Sequence, residues 1–125
     1  MAQGEVVRLL TETICKVLGI SKQKLMSESR HKRNVEGRKI FSSIIKKIIP
    51  EITYTKIGIH LNRNHATILS LRDKHNWEYK YIFEYAKLYD RCYNLFMDRY
   101  VKVDVTEDIE IRLTKYDQRH EKKNE

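Results

Sequence analysis

The sequence predicts an all-α protein. Apolar residues recur at three- and four-residue spacing over most of the chain, Gly19 and Pro50 punctuate that pattern, and strict apolar–charged alternation is confined to residues 101–113. The expected architecture is a helical domain with a helix-turn-helix, a long C-terminal aromatic helix and a short β-hairpin at the C-terminal end. Residues 1–100 form the domain and residues 101–125 an extension.

Residues 5–18, "EVVRLLTETICKVL", place Val6, Val7, Leu10, Ile14, Val17 and Leu18 on one side of a helix that Gly19 stops. Ser21 is positioned to cap a short helix, "KQKLM". A basic connector, "SESRHKRNVEGRK", occupies residues 27–39. From about Asn34 to Ile49, a second long helix gathers Ile40, Phe41, Ile44, Ile45, Ile48 and Ile49, with Lys39, Lys46 and Lys47 away from the centre of that face. Pro50 ends it, because the residue before proline is pushed out of the helical region.

Thr53 is placed to cap a helix from Tyr54 to Leu61, and Asn64 to cap another reaching about Lys74. The turn between them, Asn62-Arg63, is too short for anything but a sharp change of direction, which makes the pair a helix-turn-helix. Gly58 lies in the first helix, where a missing side chain lets backbones approach. From Trp77 to Tyr100 two adjacent stripes form, one with Trp77, Tyr81, Tyr85, Leu88, Cys92 and Leu95, the other with Ile82, Ala86, Tyr89, Tyr93 and Phe96. So wide an apolar arc either wraps the preceding helices or serves in part for self-association. "VKVDV" and "IEIRL" read as two strands of a hairpin, and "DQRHEKKNE" as a disordered tail.

The charge is unevenly placed. Of a net +8, residues 1–75 hold 15 Lys/Arg against 6 Asp/Glu, and residues 76–125 hold 10 against 11. A basic excess confined to one region fits either a polyanionic partner or a solvated lysine-rich surface. Several classes are set aside. No run approaches the length of a membrane span, and "MAQGEVVRLL" lacks the basic and apolar regions of a secretory signal. The two cysteines, Cys15 and Cys92, form no CxxC and fall on apolar faces, as reduced thiols in the cytoplasm do. None of the four glycines belongs to a phosphate-binding loop, and the five histidines show no metal-ligand spacing. The chain is not expected to be an enzyme or to need a cofactor or metal.

The stretch "NRNHAT", residues 62–67, carries the most chemistry. A helix N-terminus presents unpaired N–H groups and the positive end of the helix dipole. In a helix-turn-helix the first turn of the second helix also reaches base edges in the major groove. Arg63 suits guanine or a phosphate, His65 offers a donor or an acceptor, Ala66 suits a thymine methyl, and Thr67 carries a hydroxyl for phosphate. The bland alternative makes Asn64 a cap and His65 a solvated residue.

"TYTKIGIHLNRNHATILSLRDK" resembles the signature of the C-terminal DNA-binding domain of DnaA, the bacterial chromosomal replication initiator, at Ile57-Gly58, Arg63-Asn64-His65-Ala66-Thr67 and Ile68-Leu69. "ICKVLGISKQKLMSESRHKRNV" and "RKIFSSIIKKI" are similar to that family's first helices, basic loop and third helix, so residues 5–96 are covered. The resemblance implies a Trp-repressor-like fold that binds double-stranded DNA at DnaA-box-like sites. It implies that Asn64, His65 and Ala66 approach bases. It also implies phosphate contacts from Arg63 and Thr67, with Arg38, Lys39, Thr55 and Lys56 on neighbouring helices. A basic-loop residue that enters the minor groove maps to His31, flanked by Arg30, Lys32 and Arg33. The chain departs from the family in a turn one residue shorter, Asn64 where Asp is common, Ala66 where Thr is common, and His31 where the family has arginine.

The expected function is sequence-specific duplex-DNA binding by a stand-alone domain, in replication initiation or its regulation, or in transcription. The expected setting is the nucleoid of a bacterial cell or of a phage-infected host, the source being a phage or mobile element. The alternative is a protein–protein adaptor that keeps the fold and holds a partner or a second copy through the aromatic helix 77–100 and the C-terminal extension.

Overall fold

Six helices make up the described chain, in the order α1 (Gln3–Leu18), α2 (Lys22–Met26), α3 (Lys32–Ile48), α4 (Tyr54–Leu61), α5 (His65–Tyr81) and α6 (Phe83–Asn124). The computed structural model describes residues 2–124, with side chains through residue 103. No strand occurs among the described residues.

Each helix start has a local cause. The Ser21, Thr53 and Asn64 side chains accept backbone N–H bonds from Lys24, Lys56 and Thr67 at 3.1, 3.1 and 2.9 Å, so three helices open on the caps expected of them. Gly19, at φ 68°, takes the left-handed conformation that closes α1. The core draws on every helix: Leu10 and Ile14 from α1, Leu25 from α2, Ile40, Phe41, Ile44 and Ile45 from α3, Ile57 and Leu61 from α4, Ile68 from α5, and Cys92 and Phe96 from α6 are all fully buried. Burying them removes apolar area from water at about 25 cal/mol per Å², the main force holding the helices together.

Two expectations fail in the second half. The aromatic stretch 77–100 is not one helix: α5 continues to Tyr81, the chain breaks at Ile82 (φ −114°, ψ 101°), and α6 begins at Phe83. Trp77, Tyr81, Ile82 and Phe83 are exposed, whereas Tyr85, Tyr89, Cys92 and Phe96 are buried. The reversal has a physical reason. An unbroken helix from His65 would carry Tyr85 and Tyr89 away from the core. The break folds them back so that the Tyr85 hydroxyl lies 2.6 Å from His75 Nδ1 and the Tyr89 ring 4.7 Å from the His75 ring.

The second correction concerns the C-terminal end. The expected hairpin over 101–113 and the expected disordered tail are replaced by the continuation of α6 to Asn124. An isolated hairpin has nothing to pack on and is marginal in water, while extending an existing helix costs no new nucleation.

Candidate nucleic-acid interface

The helix-turn-helix is held by backbone geometry. Asn62 adopts φ 56°, ψ 47°, a left-handed conformation that asparagine tolerates better than most residues. The next N–H, from Arg63, donates to the Gly58 carbonyl at 2.7 Å. A Cβ on Gly58 would sit 2.2 Å from the Arg63 carbonyl oxygen, so α4 meets the turn at a distance only glycine permits. Tyr54 braces the motif from the side, with Lys46 Nζ 4.8 Å and the Arg72 guanidinium 5.5 Å from its ring centre. That contact links α3, α4 and α5.

At the mouth of α5 the Asn64 carbonyl oxygen accepts from both the Thr67 N–H and the Thr67 hydroxyl, at 2.9 and 3.0 Å. The cap therefore occupies the acceptor end of Asn64 and leaves its NH₂ donors facing outward. Asn64, His65 and Ala66 are exposed, and Thr67 is half-buried. Thr55 and Lys56 on α4 are exposed as well.

The basic loop is knitted by serines. Ser27 Oγ donates to the Lys24 carbonyl at 2.8 Å and accepts from the Ser29 N–H at 3.2 Å. Ser29 Oγ accepts from the His31 N–H at 3.2 Å and from Asn34 Nδ2 at 3.0 Å. Arg30, His31, Lys32 and Arg33 stand exposed on this frame.

Beneath it Arg38, 4% exposed, binds four carbonyls. Its Nε donates to Leu25 at 2.7 Å, Nη1 to Ser29 at 2.7 Å, and Nη2 to Ser27 and Lys24 at 2.6 and 3.1 Å. Burial, and secondly the charge of Arg63, pulls the Arg38 pKa below its ordinary value. Arg63 reaches across from the turn, donating through Nη2 to the Ser27 carbonyl and through Nη1 to the Asn62 carbonyl at 2.9 Å. Turn and basic loop thus share an anchor, so the two most exposed polar clusters form one surface.

The residues marked from sequence separate accordingly. Arg30, His31, Lys32, Arg33, Thr55, Lys56, Asn64, His65, Ala66 and Thr67 face outward in whole or part. Arg63 is half-buried and committed to carbonyls. Arg38 lies inside, as does Lys39, which pairs with Glu78 and sits 4.8 Å from the Tyr85 ring centre. Lys39 was placed away from the apolar face by helical spacing; α5 and α6 cover that side too.

Sequence reasoning missed the scaffold role of Arg38. Its only local signal was a serine pair, Ser27 and Ser29, in a loop that had to satisfy several carbonyls. Among the described residues no three His, Cys, Asp or Glu side chains gather as a metal site requires, and no helix is long and apolar enough to cross a membrane.

A family model described as the bacterial DnaA protein helix-turn-helix matches residues 7–74. That span runs from α1 through the start of α5 and includes the basic loop, the turn and the exposed cap; α6 lies outside it. No curated protein matches the chain.

Proposed function

The chain belongs to the DnaA helix-turn-helix family of DNA-binding domains, and we propose that it uses this motif to select double-stranded sites resembling the DnaA box. The first turn of α5 enters the major groove, where the Asn64 NH₂, the His65 ring and the Ala66 methyl face base edges. The basic loop lies over the adjacent minor groove, with His31 flanked by Arg30, Lys32 and Arg33. Thr55, Lys56 and Thr67 contact phosphates, helped by the free N–H groups of the helix start. Arg38 and Arg63 hold the two reading elements in register rather than reading DNA themselves.

The observation that carries this reading is the shared Ser27 anchor, which presents the loop and the cap as one cationic surface. Occupancy of such sites suits an accessory of replication initiation, a competitor for initiator sites or a transcription regulator. It places the protein at the nucleoid.

Fluorescence anisotropy against a DnaA-box duplex and a scrambled duplex, at several salt concentrations, tests the proposal. With on the order of 4–6 phosphates neutralised, log K should fall against log salt with a slope of roughly −3.6 to −5.4. The box should bind more tightly at every salt. No binding at low salt, or equal binding of both duplexes, rules the proposal out.

A second reading, a protein-binding face, draws on the exposure of Trp77, Tyr81 and Phe83. Apolar rings clustered at one helix junction are a feature of contact surfaces.

A further inference from the structure

A groove of about 780 Å³ lies between the start of α3 and the start of α6, outside the helix-turn-helix. Val35, Ile82 and Leu88 give it an apolar lining, while Arg30 and Arg33 on one side and Lys87 and Arg91 on the other make it cationic. Its carboxylates are mostly engaged: Glu36 lies 4.0 Å from Arg33, and Glu78 pairs with Lys39. Among the described residues Lys87 and Arg91 make no ion pair.

An apolar lining under unbalanced positive charge calls for an occupant that is both acidic and apolar. A phosphate backbone would meet the cations and leave the apolar surface uncovered, so a peptide fits better than nucleic acid. The chain itself contains such a peptide. Residues 104–111, "DVTEDIEI", hold four carboxylates, three apolar residues and no base.

This stretch cannot reach the groove of its own chain. α6 is continuous from Phe83 to Asn124, and at 1.5 Å per residue the stretch stands on the order of 30 Å along the helix from Leu88. We propose that the groove receives residues 104–111 of a second copy, with two α6 helices running antiparallel in a two-fold dimer. Both charge pairs are four residues apart, one helical turn, so this register sets Lys87 opposite Asp108 and Arg91 opposite Asp104. Each copy supplies one groove and one acidic segment, which closes the assembly at two chains. Asn94 and Asp98, between the two contact zones, are exposed as such a pairing requires.

Sedimentation equilibrium of the full chain without DNA tests this, with far-UV circular dichroism on each variant. The chain should be a dimer that dissociates at concentrations on the order of micromolar and weakens as salt rises. The K87E/R91E and D104K/D108K chains should each dissociate at least about tenfold more readily. The chain carrying all four changes should regain the dimer, which a merely damaged fold would not do. A chain monomeric at low salt up to roughly a hundred times that concentration overturns the proposal. So do a dimer indifferent to either reversal and a four-fold variant that stays monomeric. Loss of DNA affinity in K87E/R91E with no change in mass assigns the groove to DNA instead.

Discussion

Arg38 and Arg63 donate to the same acceptor, the carbonyl oxygen of Ser27. Two guanidinium groups converge there with no carboxylate partner among the described residues. Their mutual repulsion is offset by charge-assisted bonds to backbone carbonyls that would otherwise be buried unpaired.

Arg38 is the more deeply committed of the two. Arg38→Ala leaves the carbonyls of Leu25, Ser27 and Ser29 without their donor and should destabilise the fold by about 2–4 kcal/mol. Arg38→Lys keeps the charge but not the fork, so it should recover less than half of that loss. Urea unfolding of both variants checks this, and equal stability of Arg38→Ala and the parent chain would count against the scaffold role.

Arg63 sits nearer the surface and ties the loop to the turn, so its loss should act on binding more than on folding. Arg63→Ala is expected to cost about 1 kcal/mol of stability and to weaken box and scrambled duplexes alike. Paired thermal melts and anisotropy titrations separate the two effects.

Asn64 combines two duties that substitution can pull apart. Asn64→Ala removes the cap accepted from Thr67 and should cost about 1 kcal/mol. Asn64→Asp keeps the cap oxygen and the stability, but it replaces the outward NH₂ donors with an acceptor. Selection from a random duplex pool should then return a changed base at the position Asn64 faces, with the melting temperature nearly unaltered.

Gly58 tolerates no side chain. A Cβ placed 2.2 Å from the Arg63 carbonyl oxygen meets backbone, which cannot swing aside as a side chain can. Gly58→Ala should destabilise by about 3 kcal/mol and displace the turn. A chevron or equilibrium melt with unchanged stability would show that the turn relaxes freely.

His75 gives the fold an acid-sensitive point. Burial, with Lys39 nearby, lowers its pKa from 6.5 to about 4. The folded state therefore holds it neutral where the unfolded chain takes up a proton. Between those two values the unfolded state binds more protons, so stability is full above pH 6.5 and falls as pH drops towards 4. The expected loss is about 2 kcal/mol from pH 7 to 5 and about 3 kcal/mol by pH 4. His75→Phe should flatten that part of the profile in urea titrations at each pH.

The sequence by itself determined the local signals. The caps at Ser21, Thr53 and Asn64, the stop at Gly19 and the short turn at Asn62-Arg63 all act within a few residues, and all were legible. The family signature was legible for the same reason: its residues are contiguous.

What only the tertiary structure decided were the contacts between distant segments. Arg38 and Lys39 read as surface cations because helical spacing does not reveal that other elements cover both sides of α3. Residues 77–100 read as one helix because local periodicity is blind to the core position that Tyr85 and Tyr89 reach only when the chain breaks at Ile82. Propensity and period are short-range quantities. Whether a charge is buried, or a helix must end to bring its aromatic side chains home, depends on which distant segment lies opposite.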